Sequence, residues 1–357
     1  MMTHGGDVAG YVAEYGRAPL DFSANVSPLG LPPAVRRAVV ESLDRADQYP
    51  DPLCRELRAA IAAAEGCAPD DVLCGAGAAE LIFRLALARR PRRALVTAPA
   101  FAEYEAALAL AGCAVARSPL LPEEDFRLTA RFLDDLARTG PDVVFLCQPN
   151  NPTGQLADPD VCRAALGWCR AHGALLVMDE CFVDLVDGGE AVSLRPELPG
   201  GGLLILRAFT KTYAMAGLRL GYCLSADRGL LAAMAAAGQP WSVSVCAQAA
   251  GIAALGCREY VAALRALIAR ERPRLAAGLT ARGCTVYGSR ANFVFFAGPE
   301  GLADALRRRG VLLRACGNYA GLDGRYFRAA VRTAPDNDAL LAALGQSLEE
   351  CVWQDRL

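Results

Sequence analysis

The chain has one lysine, Lys211; the other 36 of its 37 basic residues are arginine. Arginine stays charged and is a poor nucleophile, whereas a lysine amine can lose its proton and form a Schiff base. A sequence that uses arginine nearly everywhere keeps lysine where a guanidinium cannot replace it, so Lys211 reads as a residue for imine chemistry. It lies in the most patterned stretch of the chain, Ala208-Phe209-Thr210-Lys211-Thr212-Tyr213-Ala214-Met215-Ala216-Gly217-Leu218-Arg219. There Thr210 offers a hydroxyl and Arg219 a planar fork suited to phosphate. Upstream, Asp179-Glu180 closes an apolar run. A carboxylate in that position needs a cationic partner: a protonated ring nitrogen of a ligand, one of the arginines, or a metal ion. In Gln148-Pro149-Asn150-Asn151-Pro152-Thr153-Gly154, turn chemistry explains Pro and Gly but does not require two asparagines, so an amide is available to donate to a ring oxygen. Gly75-Ala76-Gly77-Ala78-Ala79-Glu80 opens a helix and is either a tight turn or a phosphate cradle of free N–H groups.

These residues need a scaffold that brings strand ends together. Short apolar runs predict strands over 94–97, 114–117, 143–147, 175–178, 203–207 and 220–224, separated by helices near 78–89, 101–111, 129–138, 158–172 and 227–237. Strands alternating with helices imply crossover units and a mostly parallel sheet covered on both faces, whose carboxyl edge is where ligands bind. Residues 20–33 read as loop, followed by a helix near 34–43. A long helical stretch from 244 to 271 ends at Pro273. After it come strands over 285–287, 292–296, 311–314 and 326–331, with helices near 300–309 and 336–348. The expected organisation is an N-terminal arm with part of a small domain (1–44), a large α/β domain (45–245) and a smaller α+β C-terminal domain (246–357).

Composition removes several function classes. Formal net charge is -2, and the arginines form short clusters such as Arg307-Arg308-Arg309 without aromatic interleaving, which argues against nucleic acid. No apolar run reaches the ~18 residues of a membrane span, and the first residues lack a signal peptide's regions, so a cytoplasmic location is expected. The 14 cysteines include no Cys-x-x-Cys and have two histidines as potential partners, so they read as small buried hydrophobes and no metal site is expected.

The ordered blocks Gly75 to Glu80, Asn150 to Gly154, Asp179-Glu180 and Thr210 to Tyr222 resemble the fold-type I pyridoxal-phosphate enzymes, in the branch that includes the histidinol-phosphate aminotransferases. The resemblance spans nearly the whole chain and implies a PLP-dependent transferase-like fold with a seven-stranded sheet. It makes Lys211 the Schiff-base lysine, Asp179 the partner of the pyridinium nitrogen and Asn151 the contact of the ring hydroxyl. Gly77, Ala78, Thr210 and Arg219 hold the cofactor phosphate, and Phe101 stacks on the ring. Tyr49 resembles a tyrosine that reaches the phosphate across a dimer interface, implying a homodimer with shared active sites.

The same cofactor supports loss of either a proton or carbon dioxide from Cα. Three features resemble the threonine-phosphate decarboxylases of cobalamin biosynthesis. One is the start, His4-Gly5-Gly6 followed by Asp21-Phe22-Ser23-Ala24-Asn25, where an early histidine, with Asn25, meets the substrate. A second is Phe182, where the aminotransferases usually carry tyrosine. The third is the arginine pair, Arg314 and Arg328, expected at the substrate's phosphate and carboxylate respectively. The implied reaction converts L-threonine O-3-phosphate to aminopropanol phosphate, or serine O-phosphate to ethanolamine phosphate. The alternative is a histidinol-phosphate or aromatic amino acid aminotransferase.

Overall fold

The computed structural model describes residues 4–354, with side chains through Glu350. Its largest layer is a seven-stranded sheet of β2 (Val72–Gly75), β3 (Arg93–Ala98), β4 (Ala114–Pro119), β5 (Val143–Cys147), β6 (Leu175–Asp179), β7 (Leu203–Ala208) and β8 (Gly221–Leu224). β1 (Leu20–Asp21) belongs to a different pairing, described below. The strand order is β2-β8-β7-β6-β5-β3-β4, and all neighbours are parallel except β8, which runs antiparallel to both β7 and β2. Side chains alternate between two cores, as a pleated strand requires. Val144 and Leu146 join Leu176, Met178 and Ile205 on one face, while Val143 and Phe145 join Val177, Leu204 and Leu206 on the other. Burial on both faces is why these strands read as continuous apolar runs.

Strand order reverses between β3 and β5, so the loops leaving those two strands part and open a crevice at the carboxyl edge. Phe101 follows β3 and Asn151 follows β5. From the next strands come Asp179, the last residue of β6, and Lys211, three residues beyond β7.

A second sheet, β12-β13-β10-β9, is built from β9 (Thr285–Val286), β10 (Phe293–Ala297), β12 (Arg314–Ala315) and β13 (Tyr326–Ala330). An early segment of the chain joins the later ones in its core, where Phe22 packs with Val294, Phe327, Ala329 and Leu340.

Three local expectations are corrected. The loop-like stretch 20–33 begins with a strand, because β1 pairs in parallel with β11 (Val311–Leu312). The single strand expected over 311–314 is divided: β11 turns to β1, whereas β12 pairs antiparallel with β13. Neither pairing has a signal in the apolar pattern. Finally, Pro273 does not end a helix. The break falls at Gly256-Cys257, between helices Val245–Leu255 and Arg258–Thr280, and the second runs through Pro273. Proline removes one backbone hydrogen bond there, but buried residues on both sides, Leu264 and Ile268 before it and Leu275 and Leu279 after it, hold the helix in line. Among the described residues no helix is long and apolar enough to cross a membrane.

Candidate active site

A cavity of about 450 Å³ lies at the crevice. At its floor, β7 passes into the short helical turn Phe209–Thr212, which carries Lys211. Burial of the amine, with the charges of Arg328 and Arg219 nearby, lowers its pKa from the usual 10.5 to about 8. The lysine of imine chemistry is therefore easier to deprotonate than an exposed one. Its Nζ lies 6.0 Å from the centroid of the Phe182 ring.

Asp179 and Glu180 part company. Asp179 lines the cavity; Oδ2 accepts from the Tyr104 hydroxyl at 2.6 Å and Oδ1 from the Cys181 N–H at 3.0 Å. Glu180 is buried against Arg207 at 2.9 Å and also accepts from Ser193 and the Leu194 N–H. The three partners left open for the acidic pair thus resolve differently. Glu180 takes an arginine of the chain, while Asp179 has neutral donors and faces space that can receive a cation. Burial and the Asp179 carboxylate push the Tyr104 hydroxyl far above its ordinary pKa, so it remains a donor.

The end of the cavity near β2 suits an anion. Gly77 sits at φ +97°, and a Cβ there would lie 2.8 Å from Arg219 Nη2. Gly77 is therefore the backing of the Arg219 fork, not part of the cavity lining, whereas Ala78, Ala79, Thr210 and Arg219 do line it. Ala78 and Ala79 begin helix Ala78–Arg89, whose first-turn N–H groups have no intrahelical acceptor. Glu80 accepts from the Ala76 N–H at 2.8 Å and is held by Arg84, which fixes the turn.

Asn150 and Asn151 also separate. Asn150 donates to Pro99 O at 3.2 Å and Thr153 Oγ1 at 2.9 Å, tying the β3 and β5 loops together. Asn151 lines the cavity and its Oδ1 accepts from Arg328 Nη1, which leaves its amide N–H groups for a ligand oxygen. Arg328 also donates to Ser23 O at 3.1 Å, and Asn25, in the amide orientation that satisfies both groups, accepts from Arg328 Nε at 3.2 Å. Arg314 and Arg328 lie directly opposite each other in the β12–β13 register, and both line the cavity. Arg314 donates to Asn318 Oδ1 at 2.8 Å and packs over Tyr319. His4 and Phe101 close the mouth, their ring centroids 6.0 Å apart.

Of the expected contacts, Gly77 backs the cavity without lining it, and Tyr49 lies away from it. Tyr49 is 80% exposed and packs against Trp241 with ring centroids 4.6 Å apart and the rings tilted by 31°. Sequence reasoning missed Tyr104, Cys147, Cys181, Glu103 and Tyr319. Tyr104 had a usable signal: it stands three residues after Phe101 at the start of a helix, a spacing that puts both on one face.

The arrangement fits pyridoxal phosphate group by group: an amine of lowered pKa, a carboxylate hydrogen-bonded by neutral donors, an amide for the ring oxygen and an arginine-backed helix start for the phosphate. The model of the family "Aminotransferase class I and II" matches residues 17–344. The threonine-phosphate decarboxylase of Salmonella typhimurium strain LT2 is 37% identical over 96% of this chain and 95% of that protein. Among solved structures, the histidinol-phosphate aminotransferase from Clostridium acetobutylicum superposes with a TM-score of 0.85 at 28% identity, covering 92% of this chain and 99% of that one. The L-threonine-O-3-phosphate decarboxylase from Porphyromonas gingivalis superposes with a TM-score of 0.81 at 25% identity, covering 92% and 99%. With its strand-end lysine, aspartate and asparagine in family order, the chain belongs to the class I and II aminotransferases and is a pyridoxal-phosphate enzyme.

Proposed function

We propose that the protein decarboxylates a phosphoamino acid, L-threonine O-3-phosphate or serine O-phosphate, in the building of the cobalamin nucleotide loop. The observation that carries this reading is the arginine pair. Like charges directly opposite on neighbouring strands repel, and Arg314 and Arg328 occupy such positions on the cavity wall. A substrate bearing both a carboxylate and a phosphate relieves that repulsion and gives each fork a planar or tetrahedral anion. His4 at the mouth adds a third donor on the same side.

Pyridoxal phosphate, when bound, delocalises the electron pair left on Cα after a bond there breaks. The chain's residues then divide the work. Lys211 would hold the cofactor covalently and would be the group placed to return a proton to Cα. Asp179 would keep the ring nitrogen protonated, with its own orientation fixed by Tyr104 and the Cys181 N–H. Asn151 would donate to the ring oxygen, Thr210, Arg219 and the helix start would hold the cofactor phosphate, and Phe101 would cover the ring. Arg328 is assigned to the carboxylate and Arg314 to the substrate phosphate. Phe182 is buried and packs edge-on against Phe293, so its position offers the ring oxygen no hydroxyl. This departure from the usual tyrosine supports a lyase over a transferase.

Purified holoenzyme given O-phosphothreonine or O-phosphoserine is expected to release carbon dioxide with no oxo acid present. Amino transfer from histidinol phosphate or an aromatic amino acid to 2-oxoglutarate, with no carbon dioxide, would establish the alternative. A cytoplasmic homodimer is part of the proposal: the exposed Tyr49–Trp241 pair is suited to cover by a second copy, where Tyr49 would reach the partner's phosphate site.

A further inference from the structure

The mouth of the cavity holds a contact that the reaction scheme leaves unused. His4 Nε2 lies 2.7 Å from Glu103 Oε1, and both residues line the cavity. The two come from opposite sides of the site. Glu103 is in the first turn of helix Ala102–Leu110, directly after the ring-covering Phe101. His4 precedes the arm that is anchored to the other wall: the Gly6 N–H donates to Ser23 Oγ at 2.7 Å, and Ser23 Oγ donates to Asp21 Oδ1 at 2.6 Å, beside β1. A side chain on Gly5 would place its Cβ 2.4 Å from Ser23 O, so the arm can lie this close to the wall because that residue is glycine.

We infer that Glu103 is a positioning residue that holds His4 over the substrate's phosphate and thereby sets selectivity for phosphorylated amino acids. The inference deepens the decarboxylase reading and rests on it. A carboxylate accepts and never donates, so Glu103 fixes a proton on Nε2 and orients the ring, leaving Nδ1 for the ligand. In the imidazolium form the ring donates once to Glu103 and once to phosphate. Without His4 between them, Glu103 would be an anion at the mouth of a site for anions. The pair therefore turns a group that would repel phosphate into one that presents a donor to it. It also bridges the two walls, so the ring is held in the same cavity that Arg314 and Arg328 line. The competing role for Glu103 is electrostatic support of its own helix, where an acid in the first turn is favourable.

The test is a double-variant cycle on holoenzyme, with the change in cofactor absorbance on adding ligand as the readout. That signal follows binding whichever Cα bond breaks. O-phosphothreonine and unphosphorylated threonine are the probes. Glu103→Gln and His4→Ala are each expected to raise the dissociation constant of O-phosphothreonine about tenfold, the scale of one lost charge-assisted hydrogen bond. Threonine binding and cofactor affinity should hold, and the double variant should bind O-phosphothreonine no more weakly than His4→Ala, because without His4 the Glu103 carboxylate only repels the ligand. A double variant weakened about a hundredfold, equal weakening for threonine, or an unfolding midpoint lowered by Glu103→Gln without selective loss overturns the inference in favour of the helix-support role. Carbon dioxide release by the unaltered enzyme separately tests the decarboxylase reading. If O-phosphothreonine evokes no absorbance change in the unaltered enzyme, both fail.

Discussion

Two acidic residues one peptide bond apart do opposite things. Asp179 faces the cavity with a tyrosine hydroxyl and a backbone N–H for partners. Glu180 faces away, into a cluster where Arg207 bridges it to Asp184 at 2.9 Å, near Glu65 and Tyr222. Burial pushes the pKa of Glu180 upward, an effect that Arg207 opposes. Burial opposes the charge of Arg207 too, but Glu180 and Asp184 outweigh it and hold the guanidinium charged. One side of the β6 terminus is thus electrostatically complete within the chain, and the other is complete only when a cation arrives from outside. That contrast separates a structural ion pair from a site: the functional carboxylate is the one whose hydrogen bonds come from neutral donors, with Lys211 acting on it through space.

The largest expected effect falls on the incomplete side. Lys211→Ala should abolish turnover, a loss on the order of 10⁶-fold, the scale for removing a covalent catalyst's nucleophile, and remove the visible absorbance of the lysine-linked cofactor. Retention of both by the variant would refute the role of Lys211. Asp179→Asn should lower kcat by roughly 10²- to 10³-fold, as for loss of one preorganised electrostatic partner, with the unfolding midpoint little changed. Glu180→Ala should do the reverse: a buried guanidinium loses one carboxylate, destabilising the fold by about 3 kcal/mol, while kcat of the folded fraction stays within about tenfold. If denaturant melts and single-turnover rates exchange these two outcomes, the comparison collapses.

Tyr104→Phe sharpens it. The variant keeps the ring and removes one donor to a buried carboxylate, so kcat/KM should fall by about tenfold, corresponding to roughly 1 to 1.5 kcal/mol. A further prediction concerns pH. The folded pKa of Lys211 is about 8, against an ordinary 10.5, so between those values the unfolded chain holds a proton that the folded apoprotein has released. Stability therefore rises with pH across that window, and the burial penalty is complete below it. Apoprotein should be less stable than Lys211→Met near neutral pH, with the gap narrowing above pH 8. A gap that widens in denaturant midpoints would contradict the sign.

The large sheet was legible because its strands are buried on both faces and spaced by amphipathic helices. The expected run over 143–147 coincides with β5 (Val143–Cys147), and the helix near 78–89 with Ala78–Arg89. The small sheet was less legible: β11 and β12 share one apolar run, and only their partners, β1 and β13, separate them. Pro273 misled because local propensity gave way to packing along a long helix. In the site, residues with unusual identity for their position, Lys211, Asp179, Asn151 and Arg219, announced themselves, whereas Tyr104 and Glu103 look like ordinary helix residues.

The sequence by itself determined the chemistry: one lysine among 36 arginines, and polar groups closing apolar runs, are local facts that survive without coordinates. Tertiary structure decided which member of each adjacent polar pair faces the cavity. It separated Asp179 from Glu180 and Asn151 from Asn150, placed Arg314 opposite Arg328, and brought His4 from the chain's start to Glu103, 99 residues away. Those outcomes depend on strand register and on which loops part where the strand order reverses, and register is a property of paired strands that no single segment carries.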